Sequence, residues 1–466
     1  MSGPRVPPDQ QVDHERFQRS TREHVLMLCT QGVHQWQITP GLPDTGGQNV
    51  FVNHLSQAFA DLGYRVTIAN RGGYPHPITH ELQRGLHYKD AHQRLIYLED
   101  GLEAFVRKED MESHVHALAQ ALQEFLQHER DNLYAIISHY WDGARVGQVY
   151  NQSRPHLLPH IWVPHSLGMI KKENVSELEW EKLRIDERIG IERELLGSLP
   201  AVAATSSRIR ASLLEDYGYQ GTIPFLPPCV DAKRFKPAEI ERDDQIWEFL
   251  AGVGGVESAV LQEAMIITEI SRTDRTKRKD LLIRALAYVI KEQPQVFLIL
   301  SVDSRAGQLA TELRDLIQEL QVERNVIVVG SVWDWLPTIY AITDVYCTPS
   351  VMEGFGMSAQ EAAACAVPVI ASELVPFVSE YLLGTSIEQV DCQGCSRPLR
   401  VGEGAIEVAA NDVDGFATAL KILLRDKELR KRMGQRAYDI TIPYFTWSSR
   451  TRTFLQQVGL SDGKGE

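Results

Sequence analysis

His24-Val-Leu-Met-Leu-Cys29 is a short apolar run of the kind that forms a buried strand. The loop Gly41-Leu-Pro-Asp-Thr-Gly-Gly47 separates it from residues 50–62, whose apolar side chains have helical spacing. Gly63 ends that segment, and Val66-Thr-Ile-Ala69 has the composition of a second strand. Strand, loop, helix and strand in this order predict a βαβ unit of a parallel sheet.

The same pattern recurs along the chain and predicts a second sheet. Four prolines fall within residues 224–237, and a new series of strands begins after them. A length of 466 residues also exceeds what one hydrophobic core supports. We therefore expect an α/β protein of two doubly wound, Rossmann-like domains facing across a cleft. The further predicted strands are residues 134–137, 160–163, 202–204, 265–270, 296–300, 326–329, 345–347 and 368–371, and the clearest predicted helices are 281–290 and 309–320.

The predicted boundaries are 24–228 for the first domain and 229–443 for the second. Residues 1–23 are polar and charged, contain three prolines and have no apolar segment of the kind found in a signal peptide. We expect them to form a flexible N-terminal arm.

Composition excludes several classes of function. The formal net charge of -14 makes the chain a poor binder of nucleic acid or of an anionic membrane surface. Because it has no run of about 18 apolar residues, we expect no membrane insertion. Six cysteines are too few for a disulfide scaffold, which favours a reducing, cytoplasmic location. Cys392-Gln-Gly-Cys395 has redox or half-zinc spacing, but an ordinary loop is the favoured interpretation.

Glu353-Gly-Phe-Gly-Met-Ser-Ala-Gln-Glu361 is the most informative motif of the second domain. Ser358 and Glu361 have the spacing of a helix capping box, which would give them a structural role. Capping does not explain Glu353, Gly354 or Gly356. Glycines allow the backbone to approach a ligand, and the amides of a helix start favour an anion. Carboxylates on either side of such a turn suit sugar hydroxyls.

A cationic loop precedes this motif in the chain. Ser271-Arg-Thr-Asp-Arg-Thr-Lys277 follows the predicted strand 265–270. Arg272 and Lys277 have the charge that a diphosphate leaving group requires, because negative charge grows on it as its bond to a sugar breaks.

An Arg-x4-Lys loop followed by Glu-x7-Glu resembles the retaining GT-B glycosyltransferases. Asp44-Thr-Gly-Gly-Gln48, His139-Tyr-Trp-Asp142, His165-Ser-Leu-Gly168 and the lengthened stretch 238–262 resemble the sucrose-phosphate-synthase branch of that family. The resemblance implies an acceptor-side first domain and a second domain that binds the nucleotide sugar. It also implies that the C-terminal helix, within 444–466, crosses back to the first domain.

The resemblance assigns roles to individual residues. Arg272 and Lys277 would bind the diphosphate, Glu353 the transferred sugar and Glu361 the ribose, while His165 would contact the sugar near the reaction centre. The catalytic residues would be His165, Arg272, Lys277 and Glu353. The donor-binding residues would be Gly46, Gly47, Arg272, Lys277, Glu353, Gly354, Phe355, Gly356, Met357 and Glu361. The acceptor-binding residues would be Gln48, Arg71, Asp142, Lys171, Arg188 and Arg193.

The activity expected from this resemblance is metal-independent hexosyl transfer with retention, from UDP-glucose to fructose 6-phosphate, with no cofactor. Asp412-Val-Asp414 superficially resembles a metal motif, but helix capping is the favoured interpretation. One alternative is a GDP-mannose-dependent or other transferase that makes a glycerate-type or oligosaccharide compatible solute. The other is a non-catalytic sensor of sugar nucleotides.

Overall fold

The computed structural model of the chain describes residues 6–39, 42–129, 132–173 and 177–461. The chain divides into two compact units, one comprising the chain up to Pro227 together with the segment from Trp447 onward, and the other Pro228–Thr446. Gly41 of the predicted glycine-rich loop, the first five residues of the predicted arm and the last five of the C-terminal segment lie outside the described residues.

The first unit is built on a mainly parallel sheet. Its strands are β1 His24–Leu28, β2 Arg65–Arg71, β3 Leu86–Asp90, β4 Gln93–Leu98, β5 Leu133–His139, β6 His160–Val163 and β7 Ala201–Val202. In the described part of this unit they have the order β3-β4-β2-β1-β5-β6-β7, antiparallel only between β3 and β4. Its helices are α1 Gln11–Arg19, α2 Gly47–Asp61, α3 Val115–Glu129, α4 Tyr140–Gln152, α5 Gly168–Lys172, α6 Glu177–Lys182, α7 Ile185–Ser198 and α8 Ser207–Glu215.

The second unit repeats this architecture with an antiparallel extension. Its strands are β8 Met265–Glu269, β9 Val296–Ser301, β10 Val326–Val329, β11 Val345–Thr348, β12 Val369–Ser372, β13 Glu388–Val390, β14 Leu399–Val401 and β15 Ala405–Val408. They have the order β10-β9-β8-β11-β12-β15-β14-β13, with β14 antiparallel to both neighbours. Its helices are α9 Gln245–Gly254, α10 Ser258–Gln262, α11 Lys279–Val289, α12 Gln308–Glu319, α13 Leu336–Ala341, α14 Met357–Ala364, α15 Val413–Arg425 and α16 Lys427–Thr441; helix α17, Trp447–Gln457, follows in the first unit.

The central strands are apolar at successive positions because helices cover both faces of each sheet. All residues of β1 and of β9 are buried. Such continuous burial is typical of parallel strands, whereas a sheet with one solvated face alternates. This arrangement confirms the predicted fold class of two α/β sheet domains.

The prediction of a flexible arm over 1–23 is wrong for its second half. Residues Gln11–Arg19 form α1, and Phe17 is fully buried. The guanidinium groups of Arg65 and Arg94 lie 5.3 and 4.3 Å from the Phe17 ring centre. Gln10 also accepts a hydrogen bond from the amide of Tyr88 at 2.6 Å. One aromatic residue in a polar segment gives no periodic signal, although cation–π contacts can anchor it.

The stretch 238–262 also has more structure than its polar and glycine-rich sequence indicated. It contains α9 and α10, and Ile246, Trp247 and Leu250 of α9 pack in a cluster with Ile299 of β9 and Ile327 of β10. This stretch therefore covers one face of the second sheet.

The C-terminal segment divides at Trp447. The Trp447 ring packs edge-on against Phe51 of α2, with ring centres 4.9 Å apart. Phe445 instead belongs to the second unit, where its ring lies 4.8 Å from that of Tyr381. Phe445 therefore does not anchor the crossing helix, because its partners are aromatic residues of the second unit.

Cys392 and Cys395 lie between β13 and β14 and are joined by a disulfide. They lie in a loop, as the favoured interpretation has it, but the disulfide also gives their redox spacing a structural counterpart. Across the described residues, none of the helices has the length and apolar character needed to cross a membrane.

Candidate functional site

The cationic loop of the second unit lies against the loop that precedes α14. Arg275–Lys277 form a single 3-10 turn, which Asp274 begins by accepting a hydrogen bond from the amide of Thr276 at 2.8 Å. The carbonyl of Thr276 accepts from the amide of Val351, also at 2.8 Å. These backbone contacts bring Lys277 next to Glu353, and its ammonium donates to Oε1 of that carboxylate.

The two cations of this loop have different surroundings. Lys277 is 7% exposed and paired with Glu353. Arg272 is exposed, and no side chain in the described part of the chain forms an ion pair with it. Lys277 therefore has a fixed position, whereas the Arg272 guanidinium has all its donors available for a ligand.

Gly356 determines how the chain enters α14. Its φ is +109°, and a Cβ at this position would lie 2.6 Å from Cγ1 of Val375. Only glycine satisfies both constraints. The predicted capping box is wrong: Gly356 is the N-cap, without a side-chain hydrogen bond, and Ser358 instead hydrogen-bonds Tyr346. The amides of the helix start are consequently not capped by a side chain.

Phe355 points into the protein. It is 4% exposed, and its ring lies 5.5 Å from that of Phe377 and 5.9 Å from that of Phe445. The amide of Phe377 donates to the carbonyl of Phe355 at 2.7 Å. Its side chain is thus part of the core that supports the turn, so the predicted contact with a donor would fall to its backbone amide.

Glu361 lies one turn into α14 and accepts a hydrogen bond from the hydroxyl of Tyr340 at 3.2 Å. Burial raises the pKa of the Glu361 carboxyl to about 7, while the Tyr340 hydrogen bond and the charge of Arg234 act in the opposite direction. Arg234 in turn stacks on the half-exposed Trp333, with its guanidinium 4.1 Å from the ring centre. Sequence analysis missed Arg234 and Trp333 because no motif connects them with Glu361.

In the first unit, His165 follows β6 with a left-handed φ of +57°. Its Nε2 lies 2.9 Å from Nδ1 of His139, and the Phe51 ring packs edge-on against it at 4.8 Å. Burial lowers the pKa of His165 to about 3. The imidazole is therefore neutral at pH 7 and suited to hydrogen bonding rather than to charge stabilisation.

Gly46 and Gly47 lie at the start of α2, and a Cβ at either position would have no neighbour within 4 Å. They border open space, so a ligand could approach the backbone there. Gln48 is half-buried, and its side-chain oxygen accepts a hydrogen bond from Gln31 at 2.7 Å.

Four cations of the first unit line one pocket. Its lining includes Lys108, Tyr140, Lys171, Arg184 and Arg188, together with the carboxylates of Glu109 and Glu187. Burial lowers the pKa of the half-buried Lys171, and the positive charges of Arg188 and Lys108 lower it further. Lys108, Arg184 and Arg188 already pair with Asp44, Glu187 and Glu192. Lys171 has no ion-pair partner among the described residues, so an anion in the pocket would meet its charge first. Lys108 was not predicted as a site residue, because it lies far from the other three cations in the chain.

Arg188 also has a structural function. It is 5% exposed and donates to Glu192 at 2.7 Å, to the Tyr140 hydroxyl at 2.6 Å and to the Ser166 carbonyl at 2.6 Å. The other Glu192 oxygen accepts from the amide of Gly168 at 2.8 Å. Arg188 and Glu192 together hold both ends of the turn that begins at His165.

The remaining predicted acceptor residues lie elsewhere. Arg71 is 2% exposed and donates from all three guanidinium nitrogens to Asp100 and nearby carbonyls. Asp142 is fully buried and accepts from the hydroxyl of Thr30 at 2.6 Å. Arg193 is exposed on α7 and does not line the cationic pocket. The geometry does not bring these three side chains to that pocket.

Each of the two units matches a glycosyltransferase family. Residues 257–440 match the family described as Glycosyl transferases group 1, and residues 45–234 match Glycosyltransferase Family 4. The chain therefore carries a domain that matches each of these two glycosyltransferase families. This glycosyltransferase is therefore an enzyme that transfers a sugar, and its two sheet domains are of the GT-B type.

Among similar proteins, mannosylfructose-phosphate synthase of Agrobacterium fabrum is 29% identical over 370 residues, which cover 76% of each chain. D-inositol 3-phosphate glycosyltransferase of Corynebacterium kroppenstedtii is 26% identical and aligns with 92% of this chain and 87% of its own length. The structure of sucrose-phosphate synthase from Thermosynechococcus elongatus superposes with a TM-score of 0.71 at 22% identity, covering 93% of this glycosyltransferase and 98% of that protein.

The possible metal motif of this glycosyltransferase has a structural role. Asp412 is the N-cap of α15 and accepts from the amide of Gly415 at 2.8 Å, as the capping interpretation predicted. In the ranges that the structure describes, no group of three or more His, Cys, Asp or Glu side chains is placed to hold a metal ion.

Proposed function

We propose that this enzyme transfers a hexose from a nucleoside diphosphate sugar to a small phosphorylated acceptor, with retention and without a metal ion. UDP-glucose and fructose 6-phosphate are the first pair to test. The observation that carries the acceptor class is the pocket of the first unit lined by four cations. Four cations against the two carboxylates of Glu109 and Glu187 leave a local excess of positive charge in a chain of net charge -14, and this excess favours an anionic ligand.

Contacts in the second unit support donor binding there. Lys277 and Arg272 would receive the diphosphate, with the amides around Gly356 as further donors. Glu353 would accept hydrogen bonds from hydroxyls of the transferred hexose. Glu361 would hold the ribose.

The names of similar proteins agree with a phosphorylated acceptor. Mannosylfructose-phosphate synthase, D-inositol 3-phosphate glycosyltransferase and sucrose-phosphate synthase each name a phosphate in the substrate or the product. Lys171 and Arg188 would bind that phosphate, since charge-assisted hydrogen bonds from Lys and Arg suit it.

The charges favour a mechanism without a carboxylate nucleophile. Glu353 is paired with Lys277, and this ion pair suits it to positioning rather than to attack on a sugar carbon. The acceptor hydroxyl would approach on the face that the diphosphate leaves. A phosphate oxygen of the donor would then take the hydroxyl proton, while Lys277 and Arg272 stabilise the charge on the leaving diphosphate.

A matrix of donors and acceptors tests this proposal. UDP-glucose, GDP-mannose, ADP-glucose and UDP-N-acetylglucosamine are each offered with fructose 6-phosphate, inositol phosphate, glycerate and the unphosphorylated sugars, and NMR determines the anomeric configuration of the product. We expect turnover only with phosphorylated acceptors. Equal turnover of fructose and fructose 6-phosphate, or an inverted product, would refute the proposal. Tight donor binding without turnover of any acceptor would favour the sensor alternative.

Neighbouring lysines provide a matched pair of variants. Lys171→Ala should raise the KM for the acceptor about 10- to 100-fold, the effect of removing one charged hydrogen bond. Lys172→Ala is the control, because Lys172 pairs with Asp186 and does not line the pocket. Equal effects of the two substitutions would assign the loss to general surface charge instead.

A further inference from the structure

A buried ion pair lies at the base of the cationic loop of the second unit. Glu269, at the end of β8, is fully buried, and Lys279, at the start of α11, is 2% exposed. The Lys279 ammonium donates to Oε2 of Glu269. Burying two charges is costly, and apolar residues of similar volume often stabilise a protein as well. A contribution to stability alone therefore does not explain the pair.

The contacts of this pair converge on Ser271, the residue before Arg272. Lys279 Nζ donates to the Ser271 carbonyl at 3.1 Å, and the Ser271 hydroxyl donates to Oε1 of Glu269 at 2.5 Å. The Ser301 hydroxyl accepts from the Ser271 amide at 3.0 Å and donates to the Ser271 carbonyl at 2.7 Å. Every polar atom of Ser271 is consequently held by a buried partner.

We propose that Lys279 and Glu269 are positioning residues that act on the diphosphate through Arg272. This inference rests on the proposed function, in which Arg272 contacts the diphosphate. The Arg272 side chain is exposed and has no ion-pair partner in the described chain, so only its backbone can be placed in advance. Fixing Ser271 fixes the point from which that side chain extends, and a group held in place before reaction stabilises developing charge at lower cost.

The test replaces both charges together, because removing one would leave the other buried and unpaired. Glu269→Gln with Lys279→Met keeps the side-chain volumes similar and retains an acceptor for the Ser271 hydroxyl. We expect thermal unfolding close to that of the wild type, with UDP affinity and kcat each lower by about 10- to 100-fold, the effect of losing a charged hydrogen bond. The KM for the acceptor should not change.

The control pair has the same residue types in the same unit. Lys421 and Glu292 form a partly exposed ion pair, and Lys421→Met with Glu292→Gln removes the same charges away from the loop. UDP affinity should then remain that of the wild type. An equal loss of UDP affinity in this control would overturn the inference, because it would show that removing charges anywhere in the unit has the same effect.

A double-mutant cycle with Arg272→Ala tests whether the buried pair acts through Arg272. In an Arg272→Ala background, the Glu269→Gln and Lys279→Met changes should lower UDP affinity by less than twofold. A fall in UDP affinity as large as in the wild-type background would overturn the inference that the pair acts through Arg272.

Hydrogen exchange separates this inference from the proposed function. In the protein without any ligand, the amides of residues 271–277 should exchange at least 10-fold faster in the double variant, since the Lys279 bond to the Ser271 carbonyl and the charge on its Glu269 partner are lost. Unchanged exchange would overturn the inference even if the wild type binds UDP. Faster exchange in a protein that binds no UDP would support the anchor and refute the proposed function instead.

Discussion

Replacing Arg188 with Met should affect both stability and acceptor binding, and the structure allows the two effects to be separated. The substitution leaves the fully buried Glu192 carboxylate with only the Gly168 amide and the Tyr217 hydroxyl as partners. Removing one partner of a buried ion pair costs about 3–5 kcal/mol. One kcal/mol shifts the Tm of a unit of this size by about 2–4 °C, so we expect a fall of about 6–20 °C.

The double variant Arg188→Met with Glu192→Gln should recover more than half of that loss. It removes the unpaired charge, while the Gln side chain can still accept from the amide of Gly168. Acceptor affinity should not recover, because the cation itself is missing from the pocket. The assays are thermal unfolding by circular dichroism and the KM for the phosphorylated acceptor, with Lys171→Ala as a variant that should lose acceptor affinity at unchanged Tm.

Two results would refute this reasoning. A wild-type Tm in Arg188→Met would mean that the network around Glu192 does not hold the turn after β6. Recovery of acceptor affinity in the double variant would mean that Arg188 acts only through the fold and binds no phosphate.

Three further predictions concern the donor side. Lys277→Ala should lower kcat about 100- to 1,000-fold, since losing one donor to a developing anion costs about 2.7–4 kcal/mol; wild-type turnover at saturating donor would show that this lysine does not meet the leaving group. Because burial raises the pKa of Glu361 to about 7, the folded state binds the extra proton between its unfolded pKa of 4.5 and about 7, and this contribution to stability is lost as the pH rises through that window. The Tm of Glu361→Gln should therefore match that of the wild type below pH 4.5 and exceed it at pH 7.5, with a higher donor KM; parallel Tm curves across this range would contradict the assignment. Activity should survive excess EDTA, whereas complete loss that magnesium or manganese reverses would show that Arg272 and Lys277 do not replace a cation.

Strands that are buried along their whole length were predicted correctly. Elements that depend on contacts with residues distant in sequence were missed. Residues 160–163 and 326–329 coincide with β6 and β10 because a run of apolar residues suffices to predict a strand buried on both faces. The hairpin of β3 and β4 was missed, since Leu86–Asp90 carries charged residues at the edge of its sheet. Helix α1 was missed because Phe17 depends on arginines far along the chain.

The candidate site divides in the same way. The spacing of Arg272, Lys277, Glu353 and Glu361 predicted a donor site, because strand-end loops of a parallel sheet lie at one edge whatever the details of packing. The sequence could not assign Ser358, since its spacing to Glu361 is that of a capping box, whereas the helix begins at the Gly356 cap and Ser358 bonds Tyr346 instead.

By itself the sequence determined the two α/β sheets, which follow from local periodicity. Its resemblance to a known family implied sugar transfer and predicted the residues that would carry it. The tertiary structure alone decided which charges are available to a ligand. Arg71 and Arg188 are equally cationic in sequence and both are buried in ion pairs, yet only Arg188 lies where its side chain lines the cationic pocket. Burial and pairing depend on residues brought together from distant parts of the chain, and such contacts leave no periodic signal in the sequence.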